Sequence, residues 1–185
     1  MTCLATVSGL DGSGKTVFAR RLAGACTARV ALLSVDDVRR PVDWRQPGRS
    51  ESEIYYADYF ALDQLDARVA AAARDADLVL VEGVFVLRAA SLAAAFAIYL
   101  DVTLERARAR VLARDVARGR TPDDVQHRMG ARYYPAQERY LAEHDPRGCA
   151  DVLIDNDDAA RPRLVRGRPE TWPAPLAAPL ASLLS

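Results

Sequence analysis

A run of eight residues near the N-terminus has the pattern of a phosphate-binding loop. Gly9–Thr16 reads G-L-D-G-S-G-K-T and matches G-x-x-x-x-G-K-[ST] in full. Its glycines allow successive backbone N–H groups to face inward, and a helix beginning at Lys15 would add the positive end of its dipole. The pattern predicts that Lys15 reaches the β- and γ-phosphates of ATP and that the Thr16 hydroxyl ligates Mg²⁺. The residues that we expect to bind the nucleotide here are Gly9, Asp11, Gly12, Ser13, Gly14, Lys15 and Thr16.

Lysine use across the chain points to the same loop. Of the 25 basic residues 24 are Arg, and Lys15 is the one lysine. An ammonium group on a flexible stem suits a point contact with phosphate oxygens, whereas a guanidinium group is planar and bulkier. Because the guanine-specific motif N-K-x-D needs a second lysine, the composition excludes a GTPase of that kind.

Acidic residues follow two of the predicted strands. Asp36 and Asp37 follow Arg29–Ser34 with one residue between, and Glu82 ends Leu78–Glu82. Ligands bind at the carboxyl ends of the strands in a doubly wound sheet, and a kinase needs a carboxylate that takes the proton of the acceptor hydroxyl. We predict that Asp36 is this base; the alternatives are Asp37, or a role for Asp36 only in capping the turn. Glu82 is predicted to hold a Mg²⁺-bound water or to position the acceptor, with a structural role as the alternative.

Four arginines recur at intervals of four residues in a predicted helix, Leu104–Arg118. They share one helical face and are Arg106, Arg110, Arg114 and Arg118. A solvated face is the usual meaning of such a stripe. Because this one leads into Gly119–Pro122 in a chain with a phosphate loop, we favour an Arg-rich helical lid, about residues 104–132, that closes over the phosphates.

Strand and helix patterns alternate along the chain. The predicted strands are Cys3–Ser8, Arg29–Ser34, Leu78–Glu82, Phe96–Val102 and Asp151–Ile154. The predicted helices are Lys15–Ala25, Glu53–Asp75, Leu104–Arg118 and Asp124–Glu143, the last interrupted at Pro135. This alternation predicts an α/β P-loop NTPase fold with a five-stranded parallel sheet and helices on both faces.

Composition and length narrow the remaining possibilities. The 185 residues fit one kinase domain, residues 1–165, and a Pro-rich tail, residues 166–185. We expect this tail to pack over the domain or to be partly mobile, and its end, Leu176–Leu184, to be loosely docked. A formal net charge of zero argues against a nucleic-acid or membrane-surface partner. No apolar run approaches the roughly 20 residues that span a bilayer. We therefore expect a cytoplasmic protein, and the sequence leaves open whether it forms a homodimer.

The chain resembles the uridine kinase branch of the P-loop kinases, which includes phosphoribulokinase and nicotinamide riboside kinase. The resemblance runs from Leu4 to about Leu164. The segments that carry it are Gly9–Thr16, Ser34–Asp37, Tyr55–Asp58, Val81–Gly83, Ala113–Asp115, Arg132–Gln137, Ala150–Asn156 and Arg161–Pro162. The residues after Asp36 and the spacing of the lid arginines depart from the pattern of that family.

The resemblance implies roles for residues outside the loop. The acidic residue after the second strand is the base in that family, which falls on Asp36. Lid arginines contact the ATP phosphates, which implies a catalytic role for Arg114 and nucleotide contacts for Arg118 and Arg110. The loop after the last strand flanks adenine, and there the matching residues are Asn156, Asp157 and Pro162. The residues expected on the acceptor side are Asp36, Asp37, Tyr55, Tyr56, Asp58, Glu82 and Arg132.

These residues together predict an ATP- and Mg²⁺-dependent kinase that phosphorylates a hydroxyl group of a small molecule. A nucleoside is the first choice of acceptor, followed by nicotinamide riboside, a pantothenate-like compound or a specialised biosynthetic alcohol. A different class is a non-catalytic protein that senses ATP and signals to a partner. That alternative would use Leu176–Leu184 as a surface for the partner.

Overall fold

Strands form where the chain has short apolar runs, and helices form between them. In this computed structural model, which describes residues 2–185, the strands are β1 (Cys3–Gly9), β2 (Val30–Ser34), β3 (Leu78–Glu82), β4 (Phe96–Asp101), β5 (Val152–Asp155) and β6 (Arg163–Arg166). The helices are α1 (Lys15–Ala25), α2 (Glu51–Ala57), α3 (Leu62–Ala72), α4 (Leu104–Ala117), α5 (Pro122–Arg128), α6 (Tyr134–His144) and α7 (Ala174–Leu183). None of the helices in residues 2–185 has the length and apolar character that crossing a membrane requires.

The six strands form one sheet in the order β2-β3-β1-β4-β5-β6. The first five are parallel to their neighbours, as predicted, but β6 is antiparallel to β5. The prediction of five strands was wrong because all four side chains of β6 are exposed, so its sequence carries no alternation of buried and exposed positions. The chain leaves β1 to one side for β2 and β3 and to the other for β4 and β5. The carboxyl end of β1 therefore lies at the switch point where such sheets bind ligands.

Strand β3 shows how helices cover both faces of the sheet. Leu78 and Leu80 pack on the face that carries Phe18 of α1. Val79 and Val81 pack on the opposite face in a second core. Every residue of β3 is buried, as expected for a parallel strand covered on both sides.

The C-terminal segment is part of the core rather than loosely docked. Leu176 and Leu180 of α7 have no exposed surface, and both pack with Phe18 and Leu22 of α1. Trp172 is also buried in this core. The prolines of the segment suggested an irregular terminus, but apolar residues four positions apart give α7 one face that α1 can cover.

The predicted helix Glu53–Asp75 is divided in two by a turn at residues 58–61. The Arg40 N–H donates to the carbonyl of Tyr59, and the Ala61 N–H donates to the carbonyl of Val38, both at 2.8 Å. The turn therefore pairs with the segment after β2 instead of continuing the helix. Apolar residues on both sides of the turn reach the same core, so their spacing alone suggested one helix.

The interruption predicted at Pro135 lies earlier in the chain. A π-helical turn, Met129–Tyr133, joins α5 to α6. Pro135 itself lies in the first turn of α6, where a helix tolerates a missing N–H donor.

Candidate active site

The phosphate loop connects β1 to α1, as its sequence predicts. Gly14 caps α1 with a φ of 89°, a left-handed conformation that glycine adopts without strain. Gly12 has a φ of 85°, and a Cβ atom there would lie 2.3 Å from the carbonyl oxygen of Ala107 in α4. Glycine at position 12 therefore allows α4 to approach the backbone of the loop.

Three side chains from distant parts of the chain bind the backbone of the loop. The Gln137 amide oxygen accepts from the Asp11 N–H, an Arg110 N–H donates to the carbonyl of Gly12, and Asn156 Nδ2 donates to the carbonyl of Ser13. Gln137 and Asn156 are buried. Consecutive loop residues 11 to 13 are thus held by α6, by α4 and by the segment after β5.

Lys15 is buried at the start of α1 and lies along the loop. Its Nζ is 3.5 Å from Asp11 Oδ1 and 3.4 Å from the carbonyl oxygen of Leu10. The ammonium group is therefore inside the concave side of the loop, where it would meet phosphate oxygens.

Oxygen atoms from three elements meet beside the loop. The Thr16 hydroxyl donates to Glu82 Oε2 at 3.0 Å, and the Ser34 hydroxyl donates to Glu82 Oε1 at 2.6 Å. Glu82 is only 4% exposed. Hydroxyl and carboxylate oxygens suit Mg²⁺, which takes few protein ligands when substrate phosphates supply the others. Within residues 2–185 there is no group of three or more His, Cys, Asp or Glu that could hold a metal ion.

A cleft of about 660 Å³ opens beside the loop, and we call it the loop cleft. Its walls include Gly12, Gly14, Lys15, Thr16, Glu82 and three arginines of α4 and its end, Arg110, Arg114 and Arg118. Asp36 and Asp37 close it at the end of β2. The arginine stripe thus reaches the cleft at three of its four members, and Arg106 does not line it. Whether these arginines move as a lid stays a prediction.

A second cavity, of about 410 Å³, adjoins the first, and we call it the arginine cavity. Four residues line both: Asp36, Arg39, Arg114 and Arg118. Asp37 lines only the loop cleft. Asp36 therefore lies at the boundary between the two spaces.

Asp36 is held by a backbone contact and an ion pair. Its N–H donates to the Ser34 hydroxyl at 3.2 Å, and its carboxylate pairs with Arg39. The carboxylate is 52% exposed, so a ligand in either cavity can reach it.

Arg110 and Arg114 make different contacts in the structure. Besides Gly12, Arg110 donates to the carbonyl oxygens of Asn156 and Asp157, at 3.0 and 2.7 Å. Arg114 donates to the buried carboxylate of Asp115 at 2.7 Å. Burial works to raise the pKa of Asp115, but the hydrogen bond and charge of Arg114 outweigh it and lower that pKa. Asp115 therefore stays charged and fixes Arg114 at the cleft.

The residues after β5 support the loop rather than line either cavity. Asn156 binds Ser13, as described, and Asp157 accepts from the N–H and the hydroxyl of Thr103, where α4 begins. Pro162 is buried. The adenine contacts that the sequence predicts for these three residues stay a prediction.

Only some of the residues predicted to bind the acceptor lie at a cavity. Tyr55 and Arg132 line the arginine cavity. Burial raises the pKa of Tyr55 well above its usual value, so its hydroxyl stays neutral. The structure does not bring Tyr56 or Asp58 to either cavity, because the Tyr56 hydroxyl donates to Glu143 and Asp58 pairs with Arg49.

Arg39 and Gln137 are among the residues of the site that the sequence analysis did not predict. Arg39 lines both cavities, and Gln137 binds the loop. Arg39 stands three residues after Asp36, between the predicted strand Arg29–Ser34 and the predicted helix Glu53–Asp75. Gln137 belongs to a segment that carries the family resemblance, but no local pattern connects it to Asp11.

No protein-family model matches this chain, and no curated protein matches it in sequence. Among solved structures, the chain is similar to a protein from Silicibacter sp. TM1040 that is assigned by inference as a fructose transport system kinase. The two chains are 16% identical and superpose with a TM-score of 0.57, and the likeness covers 76% of this chain and 85% of that one. It is also similar to the shikimate kinase of Acinetobacter baumannii, with 20% identity, a TM-score of 0.49 and coverage of 84% of each chain. The first likeness shows that the two chains share an α/β fold. The uridine kinase branch implied by the sequence stays a prediction.

Proposed function

We propose that this protein transfers the terminal phosphate of ATP to a hydroxyl group of a small molecule in a Mg²⁺-dependent reaction. One observation carries the proposal: the loop cleft and the arginine cavity meet at the Asp36 carboxylate. A nucleotide in the first space and an acceptor in the second would bring the γ-phosphate and a hydroxyl to the same carboxylate.

The loop cleft supplies the nucleotide site. Inward N–H groups of Gly9–Thr16 and the Lys15 ammonium would bind the phosphates. Thr16 and Glu82 would hold Mg²⁺, directly or through water. When bound, this ion would offset the negative charge of the phosphates.

In the transfer step Asp36 acts as the base. The acceptor oxygen forms a bond to the γ-phosphorus while the bond from that phosphorus to the β–γ bridging oxygen breaks, and ADP leaves. The Asp36 carboxylate accepts the proton of the acceptor hydroxyl. Arg114 and Arg118 line both spaces, so their charges lie where negative charge is redistributed during transfer.

Two lines of support bear on the acceptor. The resemblance in sequence implies a nucleoside, and the Silicibacter protein of similar fold is described as a kinase of a fructose transport system. Both are consistent with a polyhydroxylated acceptor.

The ATP-sensing alternative is less well supported. We expected it to include Leu176–Leu184 in the surface for a partner, but Leu176 and Leu180 are buried against α1. It also gives no role to a second cavity beside the loop.

Acceptor-dependent consumption of ATP tests the proposal. The protein is incubated with ATP, Mg²⁺ and a panel of nucleosides, sugars, sugar acids and sugar phosphates, and ADP formation is followed. We expect Asp36→Asn to lower the acceptor-dependent rate by on the order of 10²- to 10⁴-fold without weakening ATP binding. Asp37→Asn is the matched control, because Asp37 lines only the loop cleft. Equal rates for the two variants, or the absence of turnover with every acceptor, would reject the proposed function.

A further inference from the structure

The arginine cavity concentrates positive charge in a chain whose formal net charge is zero. Seven arginines and three aspartates line it. Like charges that converge on a concave surface repel each other unless anions meet them. The charge of this cavity therefore favours the binding of an anion over a surface that only water contacts.

Ion pairs within the protein offset only part of this charge. Arg40, Arg128 and Arg132 pair with Asp63, Asp124 and Glu51, which do not line the cavity. Arg39 pairs with Asp36. Arg114 and Arg120 share Asp115, so five carboxylates pair with six of the seven guanidinium groups.

The unbalanced charge lies on the side of the cavity formed by the end of α4. Arg114 and Arg120 both donate to Asp115, each at 2.7 Å, and Arg118 has no ion pair with any residue in 2–185. Arg114 and Arg118 also line the loop cleft, where the proposed function uses them. Arg120 lines only the arginine cavity.

The arginines that line only this cavity are held in place before any ligand arrives. Arg132 is 12% exposed, stacks 3.9 Å above the ring of Trp44 and pairs with Glu51. Arg128 donates through Nε to Asp124 at 2.9 Å, which fixes its stem. Guanidinium groups oriented in this way suit a planar carboxylate or a phosphate.

We propose that the acceptor is an anionic alcohol, whose carboxylate or phosphate group is bound by Arg120, Arg128 and Arg132 while its hydroxyl lies at Asp36. Its carbon skeleton would pack on Trp44 and Tyr59, whose ring centroids are 5.4 Å apart in the wall of the cavity. This inference rests on the proposed function for the identity of the hydroxyl group. The anion site itself does not depend on transfer.

Binding of small anions tests the site without turnover. Trp172→Phe leaves Trp44 as the only tryptophan of the chain, so its fluorescence reports on the arginine cavity. The loop is first saturated with Mg²⁺ and a non-hydrolysable ATP analogue, and then orthophosphate, acetate or chloride is added at constant ionic strength. We expect a saturable change with orthophosphate or acetate and none with chloride. Calorimetric titration of the unmodified protein gives the same comparison if Trp172→Phe does not fold.

Two variants locate the binding. Arg120→Gln and Arg128→Gln, made in the Trp172→Phe background and in the unmodified chain, should weaken anion binding about tenfold or more, because each removes a charge-assisted hydrogen bond. Arg68→Gln is the control, since Arg68 is exposed and lines neither cavity. If neither anion binds with the loop occupied, or if both variants bind as the control does, the anion site is refuted.

Rates of ATP consumption with neutral and anionic acceptors distinguish the anionic acceptor from the proposed kinase activity. Sugars are compared with their phosphate esters and with the matching sugar acids. We expect an anionic member to be preferred and its KM to rise in Arg120→Gln and Arg128→Gln with little change in kcat; the preferred member identifies the group as phosphate or carboxylate. If neutral acceptors are preferred and their KM is insensitive to both variants, the anionic acceptor is refuted while the kinase stands. If anions bind but no acceptor consumes ATP, the kinase fails while the anion site stands.

Discussion

Gln137 and Asp11 are joined by two hydrogen bonds across 126 positions of sequence. The Asp11 N–H donates to Gln137 Oε1 at 2.9 Å, and Gln137 Nε2 donates to Asp11 Oδ2 at 3.1 Å. Because Gln137 is only 3% exposed, neither bond is replaced easily by water. The pair fixes the entry of the phosphate loop against α6.

Replacing Gln137 with Ala should make the phosphate loop less ordered at Asp11. The Asp11 N–H would lose its acceptor in a largely buried place, which costs about 1–3 kcal/mol of unfolding free energy. We expect a similar loss in affinity for ATP, because the loop would have to be ordered on binding. Urea unfolding and titration with a non-hydrolysable ATP analogue measure the two effects. Glu138→Ala is the control, since Glu138 is exposed; equal behaviour of both variants would contradict the prediction.

Glu82→Gln should change the dependence of activity on Mg²⁺. An amide keeps the shape of the side chain but has one acceptor oxygen instead of two, so Thr16 and Ser34 cannot both retain their bonds to oxygen. The loss of the negative charge also weakens attraction for the cation. We expect the Mg²⁺ concentration for half-maximal turnover to rise about tenfold or more, as for the loss of a charged hydrogen-bond partner.

Two substitutions at position 16 serve as controls for the Mg²⁺ prediction. Thr16→Ser keeps the hydroxyl and should behave nearly as the original protein does. Thr16→Ala removes the hydroxyl and should resemble Glu82→Gln. An unchanged Mg²⁺ titration in Glu82→Gln would exclude Glu82 from the metal site.

Leu180→Ala should destabilise the whole domain. Leu180 is fully buried between α7 and α1, and removing a buried leucine side chain costs about 2–5 kcal/mol. The midpoint of urea unfolding should fall accordingly. Val165→Ala removes an apolar side chain that is exposed on β6 and should change stability by less than about 0.5 kcal/mol. A midpoint unchanged by Leu180→Ala would mean that the C-terminal segment does not belong to the core in solution.

Asp77 should contribute to the fall in unfolding free energy at acid pH. Hydrogen bonds from the side chain and then the backbone of Arg29 lower the pKa of Asp77 to about 2. Because this folded pKa lies below the unfolded value of about 4, the carboxylate stabilises the folded state above pH 4. That contribution is lost as the pH falls from about 4 through 2.

Urea unfolding at a series of pH values measures the contribution of Asp77. In Asp77→Asn the unfolding free energy should fall less steeply between about pH 4 and 2 than in the original protein. Asp63→Asn is the control, because Asp63 pairs with Arg40 but accepts no backbone N–H. If Asp77→Asn keeps the full acid dependence, the ion pair with Arg29 does not contribute it.

The local parts of the fold could be predicted from the sequence because they depend on neighbouring residues. The phosphate loop depends on eight consecutive residues, and the buried strands are continuous apolar runs such as Leu78–Glu82. The position of Asp36 at the carboxyl end of a parallel strand followed from the same alternation. These features need only backbone geometry and the period of side-chain burial.

The sequence alone determined a phosphate loop with its single lysine, an α/β order of elements and an acidic residue at the end of β2. Only the tertiary structure decided that Asp36 lies between two cavities, that Gln137 and Asn156 hold the loop, and that α7 completes a core with α1. It also decided that β6, with every side chain exposed, joins the sheet. These contacts join residues far apart in the chain and are selected by packing and by backbone pairing, so no local pattern records them.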